Sequence, residues 1–397
     1  MLYGRSVFAS LSRLHWSYLI WAYLFWAYLI CGLSSLGHAQ EESSSRRLGL
    51  GQLGKELGIK VGFEISPENL IEPDFCETLM QEAAAGTMTT YWHLPDGLGV
   101  DRGHTRNSKT QELTGIYDFA RPKLVRDFCT QHDIEIHGHP LIWVKDRFTP
   151  AWVLNVRGDQ ATSVLRNHIW KVVSEFRGTV NVWHVVNEAF DYEGRLVDSH
   201  WNRVLGLPSP RAITPRFVNI AFQAAANADP SAQLIYNDYG QEELDPRKYN
   251  AIVRMMVNMR TRGIPIHGLG WQLHLNVSQV LDPRFPLEER LNSVARLGFD
   301  NYITELDIVM DERHLDGTLP PPKAFYELED FVRQAEAYEK VAAIFSRAER
   351  CVSMQFWGVS DKQSWLGASR KPLIFDEVFR KKLAYDAIRG VFLRESR

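Results

Sequence analysis

Two glutamates stand where strand-like runs stop. Val180-Asn181-Val182-Trp183-His184-Val185-Val186-Asn187 is β-branched and closes on Glu188, and Asn301-Tyr302-Ile303-Thr304 closes on Glu305, with Leu306-Asp307 behind it. Desolvating a carboxylate is expensive, so charged groups placed inside apolar runs imply a use for their charge. Glycoside hydrolysis needs two such groups. One protonates the leaving oxygen, and the other activates water or attacks the anomeric carbon. Either glutamate alone reads equally well as an ion-pair partner on a rim; the pair points to chemistry.

The elements that must position them alternate along the chain. Strand-like runs are Lys60–Ile65, Gly86–Trp92, Ile134–Gly138, Val180–Asn187, Gln233–Asn237, Gly268–Gln272, Asn301–Glu305 and Val352–Trp357. Between them, apolar residues recur at helical spacing in Arg121–His132, Pro215–Ala228, Pro246–Arg262, Asp330–Arg350 and Asp376–Phe392. Pro122, Pro215 and Pro246 stand near helix starts, where proline is tolerated. Strand and helix in alternation predict the α/β class and a single (β/α)8 TIM barrel over residues 59–397. Such barrels carry their sites at the C-terminal ends of the strands. There the runs end in Trp92, His137-Gly138-His139, Asn187-Glu188, Asn237-Asp238-Tyr239, Gln272-Leu273-His274, Glu305-Leu306-Asp307 and Trp357. Strands four and seven face each other across an eight-stranded mouth, so Glu188 and Glu305 could straddle a sugar.

Other chemistries compete for these residues. His137-Gly138-His139, completed by His93, His274 and Asp361, would suit a metal-dependent barrel hydrolase. The same spacing serves a glycan contact without an ion, and the expectation is no metal and no cofactor. Gly49-Leu50-Gly51-Gln52-Leu53-Gly54 has the spacing of a dinucleotide fingerprint, but no strand precedes it. A net charge of −3 gives no reason to expect nucleic acid. The 12% aromatic content, with 12 Trp, offers flat faces for neutral sugar rings as well as core filling.

Ahead of the barrel, Arg5 and Arg13 precede an apolar stretch from Trp16 to Leu33, and Gly37-His38-Ala39 offers small residues to a signal peptidase. Residues 1–39 therefore read as a signal peptide that sends the protein to the periplasm or outside the cell, with an uncleaved anchor as the alternative. Residues 40–58 read as a polar lead-in or linker. After cleavage the protein is expected to be monomeric, without membrane association. Cys76, Cys129 and Cys351 would remain as buried free thiols, because an odd number implies no disulfide framework.

From Lys60 to Val391 these motifs resemble family 10 glycoside hydrolases, mostly endo-β-1,4-xylanases. Trp183-His184-Val185-Val186-Asn187-Glu188 is similar to the family's acid/base strand, and Ile303-Thr304-Glu305-Leu306-Asp307 to its nucleophile strand. Gly138-His139-Pro140-Leu141-Ile142-Trp143, Asn237-Asp238-Tyr239, Gln272-Leu273-His274 and Trp357-Gly358-Val359-Ser360-Asp361 with Trp365 follow in the family's order. The resemblance implies Glu188 as acid/base with a raised pKa and Glu305 as nucleophile of a retaining reaction. It implies substrate contacts from His139, Trp143, Asn187, Asn237, Gln272, His274, Trp357 and Trp365, with Asp307 and His184 supporting them. The implied partner is a β-linked polysaccharide, xylan first, with a β-glucan hydrolase or transglycosidase as alternative. A glycan-binding barrel that has lost catalysis is an alternative of another class.

The departures are local. Where the family carries a Glu-Asn pair and a Lys at the end of strand two, this chain has Tyr91, Trp92 and Pro95. Val144 and Asp146 replace the family's His and Gln after Trp143, and His184 replaces an Asp. Tyr91 and Trp92 are expected to offer stacking faces on the glycone side in place of hydrogen bonds, which relaxes specificity there.

Overall fold

The computed structural model describes residues 48–206, 213–312 and 319–396. Eight parallel strands form a closed barrel: β1 Lys60–Ile65, β2 Ala85–Thr89, β3 Glu135–His139, β4 Val180–Asn187, β5 Gln233–Asp238, β6 Gly268–Trp271, β7 Asp300–Val309 and β8 Cys351–Phe356. Each pairs with the next, and β8 closes on β1 with Lys60 opposite Ser353 and Phe63 opposite Phe356. A helix precedes the barrel, α1 Leu50–Glu56, and a main helix follows each strand, with an additional short one, His200–Leu205 and Val277–Leu281, after β4 and β6. The main helices are α2 Pro73–Glu82, α3 Ala120–Gln131, α4 Gly158–Glu175, α5 Arg216–Ala228, α6 Arg247–Thr261, α7 Leu287–Arg296, α8 Leu328–Arg347 and α9 Leu383–Glu395. No helix among the described residues is long and apolar enough to cross a membrane.

The strand interior is layered. Val182, Ile235 and Tyr302 cluster with Val352 toward the N-terminal end. Above them lies a polar layer whose members satisfy one another. Thr87 donates to Gln355 (2.7 Å), Gln355 donates to His137 Nδ1 (2.7 Å), and His137 Nε2 meets Glu135 (3.2 Å). Buried polar groups paired in this way escape the cost of desolvation.

Three expectations need correction. The lead-in is not a linker over its whole length. Residues 50–56 are α1, Leu50 and Leu53 are fully buried, and the Leu50 amide donates to Glu82 (2.8 Å). Its glycines serve packing, since a Cβ on Gly51 would lie 2.8 Å from the Ala83–Ala84 backbone. The last helix starts at Leu383 instead of Asp376, because Asp376–Lys382 turns back so that Lys381 bridges Phe375. Of the thiols, which are all free, Cys129 is buried while Cys76 and Cys351 are half-buried. The segment read as a signal peptide, and the rest of the lead-in before residue 48, lie outside the described residues.

Candidate active site

Glu188 directly follows β4 and Glu305 lies within β7, and both carboxylates are buried, at 6% and 4% exposure. Glu188 adopts a left-handed backbone (φ 60°), as does Leu273 (φ 56°) between Gln272 and His274. Such strain in non-glycine residues persists only where the surroundings hold it. The Glu188 amide is fixed by the Asn237 carbonyl (3.0 Å), which ties the turn after β4 to β5.

A chain of amides joins the two acids. Asn237 Nδ2 donates to Glu305 Oε1 (2.7 Å) and to Asn187 Oδ1 (2.9 Å). Gln272 Nε2 donates to Asn187 Oδ1 (3.0 Å) and to Glu188 Oε1 (3.3 Å). Thr304 orients Asn237 from the other side (2.7 Å). Gly270 on β6 makes room for this amide, since a Cβ there would lie 2.2 Å from Asn237 Oδ1.

The acids have unlike surroundings. Glu305 Oε2 meets His274 Nε2 (3.2 Å), and His274 Nδ1 meets Asp307 Oδ2 (3.0 Å), which also accepts from the Trp365 indole (2.8 Å). Burial alone would push His274 down, but Asp307 and Glu305 hold it up to about 10. A cationic donor therefore faces the Glu305 carboxylate across the neutral range. Glu188 Oε2 is paired with Lys145. Burial pushes the Glu188 carboxyl up, but Lys145, Trp143 and Gln272 outweigh it and hold it below its usual value. The expected raised pKa of Glu188 is thus reversed in the free protein, and the cause is a lysine on the loop after β3.

Around the pair, His139 Nδ1 lies 2.9 Å from His184 Nδ1 and 3.7 Å from Glu305 Oε1. Burial lowers both imidazoles, so one donates to the other as neutral rings. Trp143 stacks on Phe148 (3.5 Å between centroids) and on Tyr91 (5.7 Å). Trp357 meets His139 edge-on (5.1 Å), and Trp365 meets His274 likewise (5.1 Å). Tyr91, Trp143, Gln272, His274, Trp357 and Trp365 line one cleft of about 520 Å³ with both glutamates.

Trp92 is not in the cleft. It is 4% exposed and lies flat on His168 of α4 (3.6 Å, 2°), with Trp201 also stacked at 5.9 Å. It is core, and only Tyr91 of the adjacent aromatics faces the site. Pro95 is exposed. Beside the cleft a second cavity of about 210 Å³ shares Tyr91, Trp357 and Trp365 with it and is walled by Leu94, Leu98 and Val100. Glu64, near the end of β1, opens into this second cavity, and burial together with the charges of Glu68 and Glu305 pushes its carboxyl up to about 7.

The metal set expected as a rival does not assemble. His137 is committed to Gln355 and Glu135, and Asp361 is paired with Lys382 (3.0 Å). His139, His184 and Glu305 do offer ligand atoms within 4.8 Å of one another. Their atoms already satisfy one another and Asn237, so an ion there would have to take the carboxylate away from its amide. Lys145, Glu64 and Tyr192 were not anticipated from the sequence, and Tyr239 was given no role there. The last follows Asn237-Asp238 directly, a cue that its position at a strand end already carried.

The family model for glycosyl hydrolase family 10 matches residues 102–391. The chain belongs to glycosyl hydrolase family 10. Endo-1,4-beta-xylanase B of Thermotoga neapolitana is 34% identical over 279 residues, 69% of this chain and 74% of that relative. Native xylanase 10B of Thermotoga maritima superposes with a TM-score of 0.74 at 29% identity, covering 88% of this chain and 99% of that one. Xylanase 10B of Thermotoga petrophila RKU-1, solved with xylobiose, gives 0.74 at 28%, covering 88% and 98%. The family 10 match starts beyond β1 and β2, so Glu64 and Tyr91 both lie ahead of it.

Proposed function

We propose that this family 10 enzyme hydrolyses internal β-1,4 bonds of xylan with retention of configuration. The observation that carries the reading is the unequal electrostatic support of two buried glutamates joined by one amide chain. Glu305, faced by cationic His274, suits attack on the anomeric carbon. As that bond forms, the glycosidic C–O bond breaks, and Glu188 gives its proton to the departing oxygen. In the second half Glu188 takes a proton from water, the water oxygen bonds to the anomeric carbon, and Glu305 leaves. Asn187, between the two acids, suits a hydrogen bond to the sugar's 2-hydroxyl. Tyr91, Trp92 and Pro95 in place of the usual strand-two grip support an altered preference on the glycone side, where β-glucans are the next substrates to try. The apolar stretch Trp16–Leu33 followed by Gly37-His38-Ala39 supports export of the enzyme.

A panel of linear xylan, arabinoxylan and β-glucans tests the reading, with Glu305→Ala and Glu188→Ala as controls. Glu305→Ala should abolish turnover on every glycan. Glu188→Ala should lose roughly 10²–10⁴-fold on xylan and far less on an aryl xyloside whose leaving group needs no proton. Undiminished hydrolysis by Glu305→Ala would defeat the assignment.

A further inference from the structure

Lys145 raises a difficulty that the reaction above must solve. The general acid has to carry a proton, yet the ammonium against Glu188 Oε2 stabilises the ion. The groups around Glu188 come from several elements: Lys145 and Trp143 from the segment after β3, Gln272 after β6, and Tyr236, Asp238 and Tyr239 from β5 and its end. Glu305 and His274 lie across the cleft. Lys145 is the cation in contact with Glu188.

For Glu188 to take up a proton, the charge of Lys145 must be balanced elsewhere. The neighbouring carboxylates are already committed. Asp146 accepts from the His200 amide and Arg203. Asp238 is closed off by Lys248 (2.8 Å) and Tyr236. Glu243 accepts from Gln279 (3.1 Å), and Glu242 is buried and accepts from the Gly240 amide (3.2 Å). Meanwhile Arg147 lines the same cleft, exposed, with its guanidinium over Phe148 (4.7 Å). Among the described residues it has no carboxylate partner. Lys145 itself is a third exposed and lies 5.4 Å from the Tyr239 ring, so its head can turn into the cleft.

We propose that Lys145, with Arg147, receives a carboxylate substituent of the glycan on the leaving-group side of the cleaved bond, making uronic-acid-bearing xylan the preferred substrate. The side follows from Glu188, whose proton goes to the leaving oxygen; the inference rests on that reading. Two adjacent cations match a carboxylate by charge-assisted hydrogen bonds. Moving Lys145 onto the substrate also frees Glu188 to protonate, so an acidic substituent assembles the general acid as it binds.

The test compares glucuronoxylan with the same polymer after chemical reduction of its uronic acids to neutral sugars. The intact enzyme should favour the acidic polymer in kcat/KM by about tenfold, the scale of one charge-assisted hydrogen bond. The basic limb of its kcat profile should lie at higher pH on the acidic polymer. Lys145→Met should bring the two polymers within about twofold and make their kcat profiles coincide, and Arg147→Met should lower the preference partway. Equal use of both polymers by the intact enzyme, or a preference that survives Lys145→Met, overturns the inference while leaving xylan hydrolysis standing. Failure to cleave either polymer overturns the parent reading as well.

Discussion

Glu188 and Glu305 are the same chemical group, and neighbours chosen from other strands give them different work. His274 can be a cation because Asp307 and Glu305 flank it, and that has a consequence for stability. Its folded value near 10 lies above the ordinary 6.5, so the stabilisation is fully present below about pH 6.5 and is lost as pH rises through about 10. Thermal unfolding followed from pH 6 to 10 should therefore decline more steeply for the intact protein than for His274→Gln. Parallel curves would mean the imidazole is neutral. At this scale the glutamates were legible because each ends an apolar run. Lys145 was not, because Lys145-Asp146-Arg147 reads locally as a solvated charged loop and its partner is on another strand. Trp92 was misread for a related reason. Successive residues leaving a strand point to opposite sides, so Tyr91 and its neighbour cannot both face the sugar.

The elements were the easier part. β1 and β4 have the bounds that their β-branched runs suggest, and the other strands differ by a residue or a few at their ends. The largest of these shifts is at β7, which continues to Val309 past the glutamate. A near-continuous apolar run was enough, because a strand buried on both faces has little else in it. α1 was hidden by its glycines, which looked like flexibility and are in fact close contacts with α2's end and with Ile59. Leu53→Ala should therefore lower the unfolding free energy by about 2–5 kcal/mol, the cost of a core truncation. A chemical denaturation curve unchanged by this substitution would restore the linker reading. The antiparallel hairpin Asp101–Arg106 and Leu113–Tyr117 also escaped notice, since its polar, half-exposed strands bury little that a hydrophobic pattern could report.

On the scale of the whole molecule, the barrel's closure places β4 opposite β7, and no local pattern fixes that; it follows from counting eight strands. The compact unit begins at Gly49. A chain starting there should keep its hydrolytic activity, whereas one starting at Ile59 should be markedly less stable than it because α1 is gone. Calorimetry of the two truncations separates these outcomes. The family 10 scaffold supplies the reaction, and Tyr91 and Lys145 both line the cleft that holds the two glutamates. The reaction itself is the central claim, and the anomer first released reports it directly. Proton NMR of xylan hydrolysis in its first minutes should show new reducing ends in the β configuration, with the α form appearing only by mutarotation. Initial release of the α anomer would contradict a covalent intermediate on Glu305.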